Sequence, residues 1–371
     1  MLVAFSHLRW DYVRHRPQHV LSRLSREMPV LYVEEPVGES SKDVLDLRLD
    51  GRVTIARAHL TDLPAGSRFG CEANLRIAEL LEPLLVDDDD LITWYATPMA
   101  VDAFPASITP ALTIFDVTDA LANLPPAPAG MRNREARLME MADMVFTSGP
   151  TLFRQLRHRH PRVHCFPSGV DRAHFASPGQ SSSASRALAL MRKPVIGFHG
   201  VIDERIDLDF VARIADLRPE WNFVLVGPLA RISPDDLPKR PNVRHFGMQS
   251  YEALPEILAK LDVAMMPFAR NQATQAISPS KTLEFLAAGR PVVSTPVADV
   301  VELYGSATSF AGSPETFVAA IEDILAWSPE DRGAWQQRAD ALVAAHDWNQ
   351  IVEEMVTAMD LRRFVNYPMT A

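Results

Sequence analysis

Ser278, Ser280, Lys281 and Glu284 lie within one short stretch, Ser278-Pro279-Ser280-Lys281-Thr282-Leu283-Glu284-Phe285-Leu286-Ala287-Ala288-Gly289. Two hydroxyls, an ammonium and a carboxylate at this spacing suit a ligand that carries both phosphate and sugar. Pro279 can open a helix at no cost, because the N–H it lacks would have no partner there. The backbone N–H groups at such a start, together with Ser278, Ser280 and Lys281, offer an anion site. Glu284 follows about one turn later, where a carboxylate can accept hydrogen bonds from the vicinal hydroxyls of a sugar. The same residues also suit a plain capped helix with a solvated Lys and Glu.

The surrounding sequence supplies elements to hold this stretch. The apolar run Val263 to Met266 ends at Pro267 as a buried parallel strand does. Leu283, Leu286 and Ala287 have core-facing helical spacing, and Gly289 stops the helix before a strand over Pro291 to Val293. Upstream, a strand over Val195 to His199 runs into Gly200-Val201-Ile202-Asp203-Glu204-Arg205 and then a helix over Leu208 to Leu217. Strand, glycine and helix in that order let the backbone come close to a phosphate. Two further strands end in Gly227-Pro228 and in Gly247-Met248. No G-x-G-x-x-G occurs, which argues against a dinucleotide. Asp207-Leu208-Asp209 has the spacing of a metal-binding pair but begins a helix, so no metal is expected.

The first half of the chain repeats the alternation. A strand over Leu2 to Phe5 is followed by an unusual loop, Ser6 to Arg16, then by a helix from Pro17 to about Met28 and a strand over Val30 to Val33. Loops at strand C-termini face the ligand crevice of an α/β sheet. Trp10, Arg14, Arg16 and His19 are therefore expected to look into a cleft, where an aromatic beside arginines suits a sugar or an anionic acceptor. Packing of the loop, with its arginines on nearby carboxylates, is the alternative. The buried strand Leu112 to Phe115 ends in Asp116-Val117-Thr118-Asp119. Asp116 and Asp119 are candidates for binding an acceptor hydroxyl or acting as a base, or else for capping the next element. The region from Glu35 to about Gly70 yields only short strands and loops.

A chain of 371 residues, 47% hydrophobic, is long enough for two domains. Lys and Arg number 37 against 47 Asp and Glu, a net charge of −10 that argues against nucleic acid as a partner. No apolar run is long enough to cross a bilayer, and no charged segment precedes Leu2-Val3-Ala4-Phe5, so no signal peptide is expected. Cys71 and Cys165 form neither a metal spacing nor a disulfide framework, which fits a reducing cytoplasm. The expected domains are 1–176 and 193–347, joined by a Pro/Gly/Ser-rich linker over 177–192.

The stretch Ser278 to Glu284 resembles the donor motif of GT-B glycosyltransferases close to family 4, S-P-x-K-x-x-E followed by F-L-A-A-G-R-P-V-V-S-T. The opening resembles the F-S-x-x-x-W…R-P-Q-H start of a bacterial subgroup, and Pro167-Ser168-Gly169-Val170-Asp171 resembles the family's domain junction. The resemblance implies an α/β fold of two Rossmann-like domains facing each other across a cleft, with a last helix, within 348–371, packing back on the first. It implies a nucleoside diphosphate-sugar co-substrate, a UDP- or GDP-sugar, and no other cofactor. Ser278, Ser280, Lys281 and Arg205 would hold the diphosphate, Glu284 the ribose, and Gly200, Gly227, Gly247 and Met248 would line the donor site. Arg205 and Lys281, with Asp116 or Asp119, would carry catalysis, and family membership would imply retention of configuration. Most family members carry a second Glu where this chain has Ala276, and many carry a histidine near the position of Asp116 to Asp119, where this chain has none in either strand-end loop. The implied acceptor is a sugar, a lipid-linked sugar or a polysaccharide, at the cytoplasmic face of the inner membrane. A nucleotide-sugar 2-epimerase and a non-catalytic sugar-nucleotide-binding subunit are the alternatives.

Overall fold

The computed structural model describes residues 1–38, 40–63, 68–88, 90–121, 128–271, 274–277 and 280–360. The chain divides into two compact units. Residues up to Pro167, with the segment from Trp348 onward, form the first, and Ser168–Asp347 form the second.

In the first unit the chain runs β1 (Leu2–Ser6), α1 (Arg16–Leu24), β2 (Val30–Glu34), β3 (Val44–Asp50), β4 (Val53–His59), α2 (Cys71–Leu85) and β5 (Ile92–Tyr95). It continues through β6 (Leu112–Val117), α3 (Met131–Met141), β7 (Met144–Thr147), α4 (Pro150–Leu156) and β8 (Val163–Cys165). The eight strands lie in the order β3-β4-β2-β1-β5-β6-β7-β8. All pairs are parallel except the hairpin β3–β4. That hairpin occupies the stretch where the sequence indicated only short strands and loops. Every residue of β1, β2, β5, β6 and β7 is buried, as expected of strands covered on both faces.

The second unit starts with α5 (Arg172–Ala176) and α6 (Ser183–Ala189), then β9 (Val195–His199), α7 (Leu208–Leu217), β10 (Asn222–Val226), β11 (Val243–His245), α8 (Leu254–Ala259) and β12 (Val263–Met266). It closes with α9 (Lys281–Ala287), β13 (Val292–Ser294), α10 (Ala298–Tyr304), β14 (Thr308–Phe310), α11 (Pro314–Leu325) and α12 (Pro329–Ala345). Its six strands are all parallel in the order β11-β10-β9-β12-β13-β14. Counted along this unit that is 3-2-1-4-5-6, the doubly wound order in which ligands bind where the winding reverses, between the first and fourth strands. A last helix, α13 (Trp348–Ala358), returns to the first unit and packs on α1.

The expected linker over 177–192 is corrected by this arrangement. Its Ser-rich composition conceals α6, which Ser182 and Ser185 start as a reciprocal cap, and Leu188 is fully buried. The boundary falls earlier, at Pro167, because Phe175 belongs to the second unit's core and the His174 ring stacks on Tyr251 at 3.8 Å. Among the described residues, no helix is long and apolar enough to cross a membrane.

Candidate donor and acceptor sites

The winding of the second unit reverses between β9 and β12, and the residues that follow these strands converge there. His199 ends β9 and Gly200 follows it. The segment after β12 leads to α9, which carries Lys281 and Glu284. A side chain at Gly200 would stand 3.7 Å from the Cγ of Lys281, so the two segments meet at that point. Gly200 and Gly227 have φ of +140° and +141°, a conformation that favours glycine. A Cβ on Gly227 would come within 1.9 Å of the Gly200 carbonyl oxygen, so no side chain fits there. Backbone bonds fix these strand ends to one another: Gly200 donates to Val226 at 2.9 Å and Gly227 to Gly247 at 2.8 Å. The result is a floor of bare backbone beside α9. Gly247, with φ +61°, has open space where a Cβ would be, and the next residue, Met248, is exposed.

Glu284 is 3% exposed, and its Oε1 accepts a 2.9 Å hydrogen bond from Lys281 Nζ. Its Oε2 lies 3.0 Å from Nε2 of His199, itself 2% exposed. Burial alone would raise the Glu284 carboxyl, but Lys281 and His199 together outweigh it and hold the group well below the usual carboxylate range. Burial pushes His199 down, with the Glu284 carboxylate opposing it. The ring is fixed by an edge contact with Phe285 at 4.9 Å. A buried carboxylate held by one cation, with one oxygen turned to an imidazole, can accept hydrogen bonds from a diol. His199 escapes sequence reading because it is simply the last residue of an apolar strand. The available signal is a polar residue just before the glycine of a strand–glycine–helix turn.

Arg205 stands in the loop between β9 and α7, where its guanidinium forks onto Asp203. Its Nε is 3.0 and 3.1 Å from the two oxygens, and its Nη2 is 2.7 Å from Oδ2. Asp203 is 1% exposed and also meets Arg231 at 3.3 Å, so the cation is fixed in orientation. Ser280 stands at the N-cap of α9 without a capping hydrogen bond from its side chain, and the helix begins at Lys281. Ser278 and Pro279 lie outside the described residues. Asp207 caps α7, accepting from the Phe210 N–H at 2.8 Å. Ala276 is buried in the turn before α9.

The candidates of the first unit separate. Arg16 and Asp116 are 6% and 1% exposed and bind each other. Nε of Arg16 is 3.2 and 3.1 Å from the two carboxylate oxygens, Nη2 is 3.0 Å from Oδ1, and Nη1 donates to the Phe166 carbonyl at 2.7 Å. The guanidinium also lies 5.9 Å from the ring centroid of Trp348, on which His19 stacks at 5.3 Å. This is a buried joint between α1, β6 and α13. Trp10 is turned inward as well, its indole edge-on to Tyr32 at 4.8 Å and donating to Asp50 at 2.6 Å. Arg14 lines a depression of about 610 Å³ with Ser22, Arg26 and the β3–β4 turn. Val53, the first residue of β4 after that turn, pairs with Val30, at the opposite end of the sheet from the strand C-termini. Asp119 is half-buried just beyond β6.

The reversal point of the first unit, between β1 and β5, presents other residues. His7 follows β1, and its side chain lies beside Ala96, which follows β5; burial and Arg68 push this imidazole down to about 4. Glu35 follows β2 and is pushed up to about 7 by burial, with Arg68 and Arg9 opposing. A group poised near neutrality at a strand end suits proton transfer. The Glu35 carboxyl binds its proton more tightly in the folded chain, so stability falls as pH rises from 4.5 to about 7. Glu35→Gln is expected to flatten that fall by about 1–2 kcal/mol after allowance for solvent screening. Urea unfolding at about pH 5 and about pH 8 checks it.

Comparison with known proteins bears on the fold. The Glycosyl transferases group 1 family matches residues 193–326. TuaH of Bacillus subtilis (strain 168), whose name assigns it to teichuronic acid biosynthesis as a glycosyltransferase, is 26% identical over 236 residues. The match covers 61% of this chain and 59% of TuaH, less than two thirds of the relative's length. Sucrose-phosphate synthase from Thermosynechococcus elongatus superposes with a TM-score of 0.73 at 15% identity, covering 99% of both chains. Anabaena HepE, in complex with UDP and glucose, gives 0.69 at 14% identity over 97% of this chain and 99% of its own. A UDP-forming trehalose-phosphate synthase from Burkholderia xenovorans gives 0.68 at 14% identity over 99% of each. The two parallel-sheet units therefore have the GT-B glycosyltransferase fold, and the second carries a Glycosyl transferases group 1 domain.

Proposed function

We propose that this protein is a glycosyltransferase that moves a sugar from a UDP- or GDP-sugar to an acceptor hydroxyl, with retention of configuration. The observation that carries the reading is the buried Glu284–Lys281 pair set against Gly200 where the second unit's winding reverses. Glu284 would accept hydrogen bonds from the ribose. Arg205, oriented by Asp203, and Lys281 would face the diphosphate and stabilise the charge that builds on it as the glycosidic bond breaks. The anomeric carbon takes on oxocarbenium character in that step. His7 and Glu35 stand where an acceptor hydroxyl could be oriented, and Asp119 remains a candidate for the same task. The UDP in HepE and the UDP-forming synthase favour a uridine donor. The name of TuaH, a teichuronic acid biosynthesis glycosyltransferase, supports a polysaccharide acceptor, and in this reading the reaction takes place at the cytoplasmic face of the membrane.

The test is thermal unfolding with UDP, GDP, ADP, TDP and CMP, followed by transfer assays with sugars of the base that binds. A ligand that binds only the folded chain adds about 2.7 kcal/mol at a hundred times its dissociation constant. Stabilisation by one base and turnover that requires an acceptor are the expected results. Turnover without acceptor would indicate an epimerase, and binding without turnover a non-catalytic subunit. Stabilisation by none of them would reject the donor site.

A further inference from the structure

The outer edge of the first sheet is formed by β3, Val44-Leu45-Asp46-Leu47-Arg48-Leu49-Asp50, paired on one side only. Its register on β4 runs from Val44 opposite His59 to Asp50 opposite Val53. Among the described residues, nothing forms a backbone ladder with its other side. Side chains alternate along a strand, so Leu45, Leu47 and Leu49 share one face, and Leu47 and Leu49 are 45% and 68% exposed. A long edge strand with exposed leucines invites strand addition, and β3 has neither Pro nor Lys to block it.

The order of residues within β3 indicates what would add. Two antiparallel copies of β3 related by a two-fold axis at Leu47 place Asp46 of each chain opposite Arg48 of the other. The same register puts Leu47 opposite Leu47 and Leu45 opposite Leu49. One face of the joint then carries two opposite-charge pairs and the other a continuous row of leucines. Opposite charges and apolar pairs directly across a ladder are the stabilising combinations, and a two-fold contact must be complementary to itself. Within a single chain Arg48 holds Asp11 at 2.7 Å. Both side chains of that pair are exposed, and a guanidinium has donors enough to bridge two carboxylates. Displaced by one residue, the strands would face their leucines in opposite directions, so the register is specified.

We propose that β3 is a homodimerisation edge, at which two copies of this chain join their eight-stranded sheets into one. Sedimentation velocity of the full chain over a wide concentration range tests it, with circular dichroism confirming that each variant is folded. The wild type is expected to pass from monomer to dimer as concentration rises. Asp46→Arg and Arg48→Asp should each return it to monomer by placing like charges opposite, and the double exchange should restore the dimer. Asp11→Asn should leave association intact, which separates the inter-chain pair from the intra-chain one. A wild type that stays monomeric throughout overturns the proposal. So does a dimer that tolerates either single exchange, or a double exchange that fails to recover.

Discussion

Glu284→Gln is expected to weaken binding of the nucleoside diphosphate-sugar about 100-fold, the scale of losing hydrogen bonds to a charged acceptor. The same change should destabilise the fold by about 3 kcal/mol, because it leaves the mostly buried Lys281 ammonium without its counterion. These two effects separate in the double variant Glu284→Gln with Lys281→Met. Removing both charges should recover most of the stability, whereas affinity should stay low or fall further. Calorimetric titration with UDP and GDP, alongside urea unfolding, measures both quantities. If affinity returns together with stability, Glu284 has only a structural role and the donor assignment fails. The depressed carboxyl adds a pH signature. Its stabilising effect is complete above the unfolded value, 4.5, and is lost as pH falls through the lower folded value. Glu284→Gln should therefore unfold with less acid dependence than wild type.

The second large effect is expected in the first unit. Arg16→Ala or Asp116→Ala should each cost about 3–5 kcal/mol, because either leaves a buried charge without its partner. The Arg16 change also deprives the Phe166 carbonyl of its donor. Replacing the pair together, Arg16→Met with Asp116→Leu, should recover much of the loss. Asp116→Asn decides between roles, since a catalytic base would lose about 100-fold or more in kcat at nearly unchanged stability. With both carboxylate oxygens of Asp116 engaged by Arg16, the opposite is expected: a clear loss of stability, and kcat per folded molecule close to wild type.

That contrast marks where the sequence was readable. Strand ends, glycine turns and the Lys281–Glu284 spacing are local features, and the second unit's alternation of strand and helix leads to its parallel sheet. The Ser6 to Arg16 loop reads as a cleft wall because polar residues after a strand usually face a crevice. What turns Arg16 and His19 inward is Asp116, Phe166 and Trp348, at least 97 positions away in sequence, and no local pattern announces such partners. His7 and Glu35 escape sequence reading for the converse reason. Their character comes from burial and from Arg68, which is distant in sequence from both. Helix α6 was hidden by a Ser-rich composition, although Ser182 and Ser185 do form a recognisable cap.

The joint made by Arg16, Asp116 and Trp348 also bears on the order in which the protein can be born. The second unit is one uninterrupted stretch, but the first unit's core includes Trp348, Ile351, Val352, Met355 and Met359, all made after the second unit is complete. Domains generally fold as units while the ribosome delivers them from the N-terminus. Here the half that is started first should be the half that is finished last, with its sheet waiting unsealed through the synthesis of 168–347. Protease added to ribosomes stalled just after Asp347 emerges should spare the second unit and cut the first, whereas the released chain should resist in both.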